Sequence, residues 1–188
     1  MKMIALSRQA GQPVDTFPDS VIIPDSAITL PGKPLFVPDF AEAWEARLLI
    51  GVRVSRLGKG IAPRFASRYY DAATLLMQLV PVPAENFPSS LACAFDGCIQ
   101  QGTWIEVQNM PDLQNLTVSS GDMSLTFTSA QMAIDEAVAA VARYLTIRNG
   151  DIICPLTLPW RFSVTTGDII EASLGNQPGN PCLRARLK

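Results

Sequence analysis

The sequence predicts an α+β fold with a largely β body. Apolar and polar residues alternate over residues 45–55, which is typical of a half-buried strand. Apolar residues recur at helical spacing most clearly over residues 129–150. The remaining apolar runs are short and are separated by Gly, Pro, Ser and Asp, as strands joined by turns are.

The first forty residues favour short extended pieces. Residues 1–6 predict a strand, and a polar connection follows it. The stretch 21–40, VIIPDSAITLPGKPLFVPDF, is interrupted by four prolines, which predicts extended segments separated by turns.

The strand at 45–55 has two distinct faces. Its apolar face consists of Ala46, Leu48, Ile50, Val52 and Val54. Its other face consists of Glu45, Arg47, Leu49, Gly51 and Arg53. This second face is either a solvated surface or the floor of a functional site.

The middle of the chain mixes helix, strand and loop signals. Residues 63–72 predict a helix that is followed by an apolar strand, and residues 81–90 predict a loop. Residues 102–110 and 116–128 predict strands, the second region folding back at its Ser-Ser-Gly-Asp turn.

The helix predicted over 129–150 is amphipathic. Asp135 and Glu136 would lie in its first turn, where the helix dipole favours acids, and Asn149–Gly150 would end it. Its apolar stripe consists of Ile134, Val138, Val141 and Leu145.

A Gly-Asp-Ile-Ile sequence occurs twice near the end of the chain. Residues 150–154 and 167–174 each predict a turn that leads into a strand. The flanking residues do not repeat, so the similarity indicates shared turn chemistry.

Length and composition restrict the class of protein. The 188 residues suit one domain, 1–188, and 48% of them are apolar. The net charge is −2, and the basic residues are scattered apart from Arg184, Arg186 and Lys188. We therefore expect no nucleic-acid partner. No apolar run reaches the roughly 18 residues of a membrane span, and the N-terminus lacks a secretory pattern, so we expect a cytoplasmic protein.

The absence of histidine excludes several chemistries. The chain contains no histidine, so it has no Ser-His-Asp or Cys-His arrangement and no imidazole metal ligand. Its cysteines, Cys93, Cys98, Cys154 and Cys182, fit neither a zinc site nor a redox pair, so we expect buried, inert thiols.

Several segments follow one another in a characteristic order along the chain: PDSAITLPGKPLFVPDF, RVSRLGKGI leading to FASRYYDAAT, AFDG, and IDEAVAAVARYLTIRNGDII. Their order and spacing resemble the fumarylacetoacetate hydrolase family, in particular its short bacterial members. The resemblance implies a mixed sheet rolled into a barrel-like sandwich with one or two helices, and a homodimer. It also implies cleavage, decarboxylation or isomerisation of diketo and oxo acids, with a divalent cation held by a Glu-x-Glu pair and an Asp.

In this sequence the family's carboxylates look replaced. An ungapped match at RVSRLGKGI places the Glu-x-Glu pair on Arg47 and Leu49, and the third ligand on Gln78. A family lysine before FDG corresponds to Cys93, another before the early proline to Ile23, and Thr157 alone remains from a cleft loop. We expect Asp96 to belong to the turn at FDG.

A rival register shifts the match by a gap. It places Glu45 and Asp71 at two ligand positions, but still puts Arg47 at the other. In either register the oxygen cage is incomplete, so we expect no metal cofactor.

The resemblance therefore leaves three functions open. The first is a catalytically inactive homologue with a structural or binding role, in which Arg47 either pairs with Glu45 or binds a small carboxylate. The second is a metal-free enzyme that has repurposed the family's cleft. The third is a metal-dependent hydrolase, decarboxylase or isomerase of a diketo or oxo acid.

Overall fold

The computed structural model describes residues 1–6, 20–83, 86–88, 91–110, 112–175 and 181–188. The predicted connection between the first two strands and parts of the predicted loop 81–90 lie outside these residues. Within them, no helix is long and apolar enough to cross a membrane.

The described residues form two sheets, one α-helix and short 3-10 helices. A curled, mixed sheet has the strand order β2-β1-β10-β4-β5-β6-β3, and β7 also pairs with β5. A smaller sheet has the order β12-β11-β8-β9. The strands are β1 (Lys2–Leu6), β2 (Ser20–Pro24), β3 (Ile28–Thr29), β4 (Ala43–Val54), β5 (Tyr70–Val82), β6 (Ile99–Gln101), β7 (Ile105–Glu106), β8 (Asn115–Ser120), β9 (Met123–Thr128), β10 (Ile152–Val164), β11 (Ile169–Leu174) and β12 (Leu183–Arg186).

The predicted faces of β4 are confirmed. The apolar face from Ala46 to Val54 is fully buried in the main hydrophobic core. The helix α1 (Ala130–Tyr144) and strands of both sheets contribute side chains to this same core. One face of β4 therefore packs in the main hydrophobic core, and the opposite face is the one on which a functional site can lie.

The predicted helix exists, but its bounds were wrong. It begins at Ala130, so its first turn contains no acid, and Asp135 lies one turn further on. There Asp135 accepts a hydrogen bond from the Tyr70 hydroxyl at 2.9 Å. The helix ends at Tyr144, before Asn149–Gly150, because the main chain of Ile147 pairs with Gly58 instead.

Two other element predictions were wrong in type or extent. The predicted helix at 63–72 is a 3-10 helix, Pro63–Arg68, because β5 begins at Tyr70 and pairs along nearly all of β4. The predicted strand at 102–110 is only Ile105–Glu106, and a 3-10 helix, Val107–Asn109, follows it.

The two Gly-Asp repeats do share their turn chemistry. Asp151 accepts the N–H of Arg148 at 2.9 Å, and Asp168 accepts the N–H of Thr165 at 2.8 Å. In each turn the residue before the aspartate is a glycine with positive φ, a conformation that glycine adopts at little cost. Each aspartate thus accepts the N–H of the residue three positions earlier.

Candidate functional site

The residues at the predicted metal-ligand positions lie together on the second face of β4. Arg47 and Gln78 are directly opposite each other on β4 and β5. Leu49 lies two residues further along β4, and Thr157 is its partner on β10. Residues opposite each other in an antiparallel pair project to the same side, so these four side chains share one surface.

Much of this surface is filled by apolar side chains. Leu49, Ile23 and Cys93 are 2%, 0% and 8% exposed, and they belong to one hydrophobic cluster. Gly51 allows the cluster to close, because a Cβ there would lie 2.5 Å from Cδ1 of Leu76. The other buried members of this second cluster are Met3, Ala27, Leu76, Cys98, Ile99, Ile152 and Cys154.

Arg47 lies where this apolar cluster meets the polar end of the surface. Its Nε is buried and has no hydrogen-bond partner. Burial lowers the pKa of Arg47, the neighbouring Arg161 lowers it further, and Glu45 acts in the opposite direction. The Arg47 guanidinium is therefore an incompletely satisfied cation.

Arg161 is the residue that the sequence comparison missed. It lies directly opposite Arg47 on β10, and its Nη1 is 3.3 Å from Oε2 of Glu45. Glu45 is thus ion-paired with Arg161. The sequence had suggested only Arg47 as its partner. The signal in the sequence was the alternation after Thr157, which continues through Arg161 to the end of β10.

The ion pairs leave a positive site. Two guanidinium groups lie next to one carboxylate, and the amide of Gln78 is opposite Arg47. Such a set of donors suits a carboxylate, because a guanidinium offers parallel N–H groups to both of its oxygens.

The far end of the β4 face is closed by another network. The Nε of Arg53 is 2.8 Å from Asp71, and its Nη2 is 3.0 Å from Glu106. The Arg53 guanidinium also lies 5.6 Å from the centre of the Trp104 ring. The pKa of Arg53 is raised above its usual value, chiefly by the hydrogen bond to Asp71. The hydrogen bond to Glu106 and the negative charges of both carboxylates also raise it, whereas burial lowers it.

This arrangement bears on the rival register. Glu45 and Arg53 are eight residues apart on β4, which corresponds to about 26 Å along a strand. Asp71, bound to Arg53, therefore lies at the opposite end of the surface from Glu45. These two carboxylates do not share a single ion.

The residues at the predicted ligand positions, Arg47, Leu49 and Gln78, do not fit a divalent cation. Mg²⁺ and related ions take several oxygen ligands, mostly carboxylates, whereas this set has a cation, an aliphatic chain and one amide. In the part of the chain that the structure describes, no three His, Cys, Asp or Glu residues form a group that could hold a metal ion.

The cysteines near this surface do not form a nucleophilic site. None of the four forms a disulfide, and all four are buried. Burial raises the pKa of Cys93, and burial together with the charge of Cys93 raises that of Cys98 to about 12. A thiol in such surroundings stays protonated and is a poor nucleophile. Asp96, predicted to belong to a turn, is exposed in the turn region before β6.

The comparison with protein families decides the relationship. The sequence model of the fumarylacetoacetate (FAA) hydrolase C-terminal family matches residues 4–188, nearly the whole chain. The chain belongs to the fumarylacetoacetate hydrolase family. No curated protein sequence matches it.

Solved structures share the fold at low sequence identity. A 5-carboxymethyl-2-hydroxymuconate delta-isomerase from Mycobacterium smegmatis matches with a TM-score of 0.81 and 17% identity, over 99% of this chain and 78% of that protein. A 2-hydroxyhepta-2,4-diene-1,7-dioate isomerase from Mycobacterium marinum gives 0.81 and 16%, over 99% and 73%. Fumarylpyruvate hydrolase from Pseudomonas aeruginosa, in complex with Mn²⁺ and pyruvate, gives 0.79 and 14%, over 100% and 89%. At these identities the matches establish the fold and not the reaction.

Proposed function

We propose that this member of the family binds a small carboxylate beside Arg47, without a divalent cation and without the metal-dependent chemistry of the family's enzymes. The observation that carries the proposal is the buried Nε of Arg47, which has no hydrogen-bond partner and lies beside a second guanidinium. An anion that accepted this N–H would remove the cost of leaving a buried donor unsatisfied.

The surroundings favour an oxo acid with an apolar part. Leu49 and the second hydrophobic cluster adjoin Arg47, so a bound acid would meet guanidinium groups at one end and apolar side chains at the other. The Pseudomonas aeruginosa relative was solved with Mn²⁺ and pyruvate. In this chain Arg47 and Arg161 would supply positive charge to such a ligand.

A thermal-shift series tests the binding. With pyruvate or a related oxo acid at about ten times its Kd, in EDTA, we expect stabilisation of about 1.4 kcal/mol, or a few degrees in Tm. Arg47→Leu should abolish the shift. Arg56→Leu removes the same charge from an exposed arginine after β4 and should preserve it. No shift with any acid, or an equal shift in Arg47→Leu, would contradict the proposal.

The alternative function is a metal-dependent hydrolase, decarboxylase or isomerase of a diketo or oxo acid, which family membership favours. The same series separates the two functions when MgCl₂ or MnCl₂ replaces EDTA. We expect no metal-dependent change in Tm and no consumption of an acylpyruvate. Saturable metal binding with turnover would establish the alternative.

A further inference from the structure

We infer that a second anion site, separate from the surface around Arg47, lies beside β12 and takes a small molecule that carries phosphate groups. A pocket of about 290 Å³ opens there. Its walls come from the turn after β3, the end of β6, and β12 with the residues around it. The lining residues that matter are Lys33, Gln101, Gly102, Arg184, Arg186 and Lys188.

The pocket has an unbalanced charge. Lys33, Arg184, Arg186 and Lys188 line it, and no Asp or Glu is among its described lining residues. The alternation of LRARLK explains why three of these cations are together. Leucine and alanine side chains of this segment face the core, so the basic side chains at every second position project outward.

Main-chain pairing brings the fourth cation to the same place. The N–H of Leu35 donates to Arg186 O at 2.9 Å, and the N–H of Lys188 donates to Leu35 O at 2.8 Å. This parallel bridge places the turn that contains Lys33 alongside β12. Gln100 holds the start of the same turn, because its Nε2 donates to Leu30 O at 3.1 Å.

The opposite wall is formed by close backbone contacts. The N–H of Thr103 donates to Cys182 O at 2.6 Å, which joins the end of β6 to the residues before β12. Gly102 permits this approach, since a Cβ there would lie 2.7 Å from the same oxygen. The wall is therefore a fixed part of the fold.

Two lining residues add polar groups to the charged ones. Gln101 is 7% exposed and lines the pocket, so its position is set by the surrounding fold. Arg184 is held by Glu171, whose Oε1 lies 3.0 Å from its Nε. This ion pair fixes the guanidinium of Arg184 at the edge of the pocket.

The chemistry of the lining selects the ligand class. Arginine forks and lysine ammonium groups both bind phosphate well. Even without Arg184, which is paired with Glu171, the three cations Lys33, Arg186 and Lys188 exceed what one carboxylate needs. The volume is at the lower end for ligand pockets, which favours a small molecule with more than one negative charge. Basic residues are scattered elsewhere and the net charge is −2, which argues against nucleic acid.

Titration calorimetry with pyrophosphate, at low and physiological salt, tests this site. We expect one binding event that weakens with salt, because exposed charges are screened. The double variant Lys33→Gln/Arg186→Gln should weaken binding about tenfold or more, since each substitution removes charge-assisted contacts. Arg56→Gln is the matched control for loss of an exposed cation, and Arg47→Leu is the control for the proposed carboxylate site. Both should bind as the wild type does.

Other outcomes would overturn the inference. These are absence of binding by the wild type, equal weakening in Arg56→Gln, or loss of binding in Arg47→Leu. Tighter binding of an RNA oligonucleotide than of pyrophosphate would overturn the assignment to a small molecule. The side chains of Lys33, Arg56 and Arg186 are exposed, and circular dichroism melting of each variant verifies its fold. Citrate, which carries negative charge without phosphorus, should bind more weakly than pyrophosphate.

Discussion

Two arginines on the same face of β4 have opposite environments. Arg53 is bound by two carboxylates, and they raise its pKa. Arg47 has a buried Nε without a partner and a like charge beside it, and its pKa is lowered. We therefore expect the first arginine to stabilise the fold and the second to cost stability. A partly buried cation whose Nε has no partner is more readily explained by a ligand than by packing.

Leucine substitutions distinguish the two arginines. We expect Arg53→Leu to lower the free energy of unfolding by about 1 kcal/mol, since its half-exposed ion pairs are screened by solvent. Arg47→Leu should leave that free energy unchanged or raise it by about 1 kcal/mol, because it removes a partly buried cation next to an apolar cluster. Urea denaturation measures both. A loss of stability in Arg47→Leu equal to that in Arg53→Leu would show that Arg47 is satisfied in solution.

At this scale the sequence predicted part of the site. Alternation assigned Arg47 and Leu49 to one face of a strand, and the structure confirms that face. Alternation after Thr157 also places Arg161 on the same face of β10 as Thr157, but its position opposite Arg47 could not be found in this way. Between Thr157 and Arg161 the pairing of β10 with β4 shifts its register, and such an irregularity depends on contacts across the sheet rather than on local sequence.

Among the elements, α1 shows how tertiary contacts override a local preference. Acidic residues favour the first turn of a helix, yet Asp135 lies beyond it and accepts a hydrogen bond from Tyr70. Burial raises the pKa of Asp135, and the Tyr70 hydrogen bond offsets this only in part. The fold thus favours the protonated carboxyl, and the stability this contributes at low pH is lost as pH rises through the folded pKa.

Asp135→Asn should therefore stabilise the protein at neutral pH. An amide oxygen can still accept the Tyr70 hydroxyl, and Asn and Asp have similar helix propensities. We expect a gain of about 0.5 kcal/mol at pH 7, the size typical of substitutions near the surface. The gain should disappear as the pH falls below the pKa of the carboxyl. Thermal melts from pH 3 to pH 7 measure it, and a difference that is constant over this range would exclude titration of Asp135 as its cause.

Elements with strong periodicity were predictable, and short elements were not. The alternation in β4 and the helical spacing in α1 extend over many residues, so both were placed correctly in kind. The 3-10 helix at Pro63–Arg68 was mistaken for a longer helix because nothing local to it shows that β5 begins at Tyr70. The strand β12 was missed, although its four residues alternate, because pairing with β11 defines so short a strand.

At the scale of the molecule, the two sheets and the helix α1 of the described residues contribute to a common core, and this explains why the fold could be predicted from segment order. Residues of β4, β5, β8, β11 and α1 belong to the same buried cluster. A family that keeps these segments keeps the core, even when site residues change. The second hydrophobic cluster shows the reverse, because Leu49 and Ile23 fill a surface where the resemblance placed polar residues.

The resemblance also predicts a homodimer, and one exposed aromatic group offers a place for its interface. Phe40 is 49% exposed and packs on Trp44, Phe87 and Phe95, with ring centres 5.2, 5.7 and 5.3 Å away. Aromatic side chains on a supported, half-exposed patch are frequent anchors of interfaces.

Sedimentation velocity at micromolar concentration should give twice the chain mass of 20.4 kDa. An obligate interface of this kind buries about 2,000 Å² or more, so dilution should not dissociate the wild type. Phe40→Ser should shift the equilibrium to monomer, whereas Leu57→Ser, which changes a side chain that is 70% exposed on a different loop, should not. A monomeric wild type would contradict the dimer, and a fully dimeric Phe40→Ser would place its interface elsewhere.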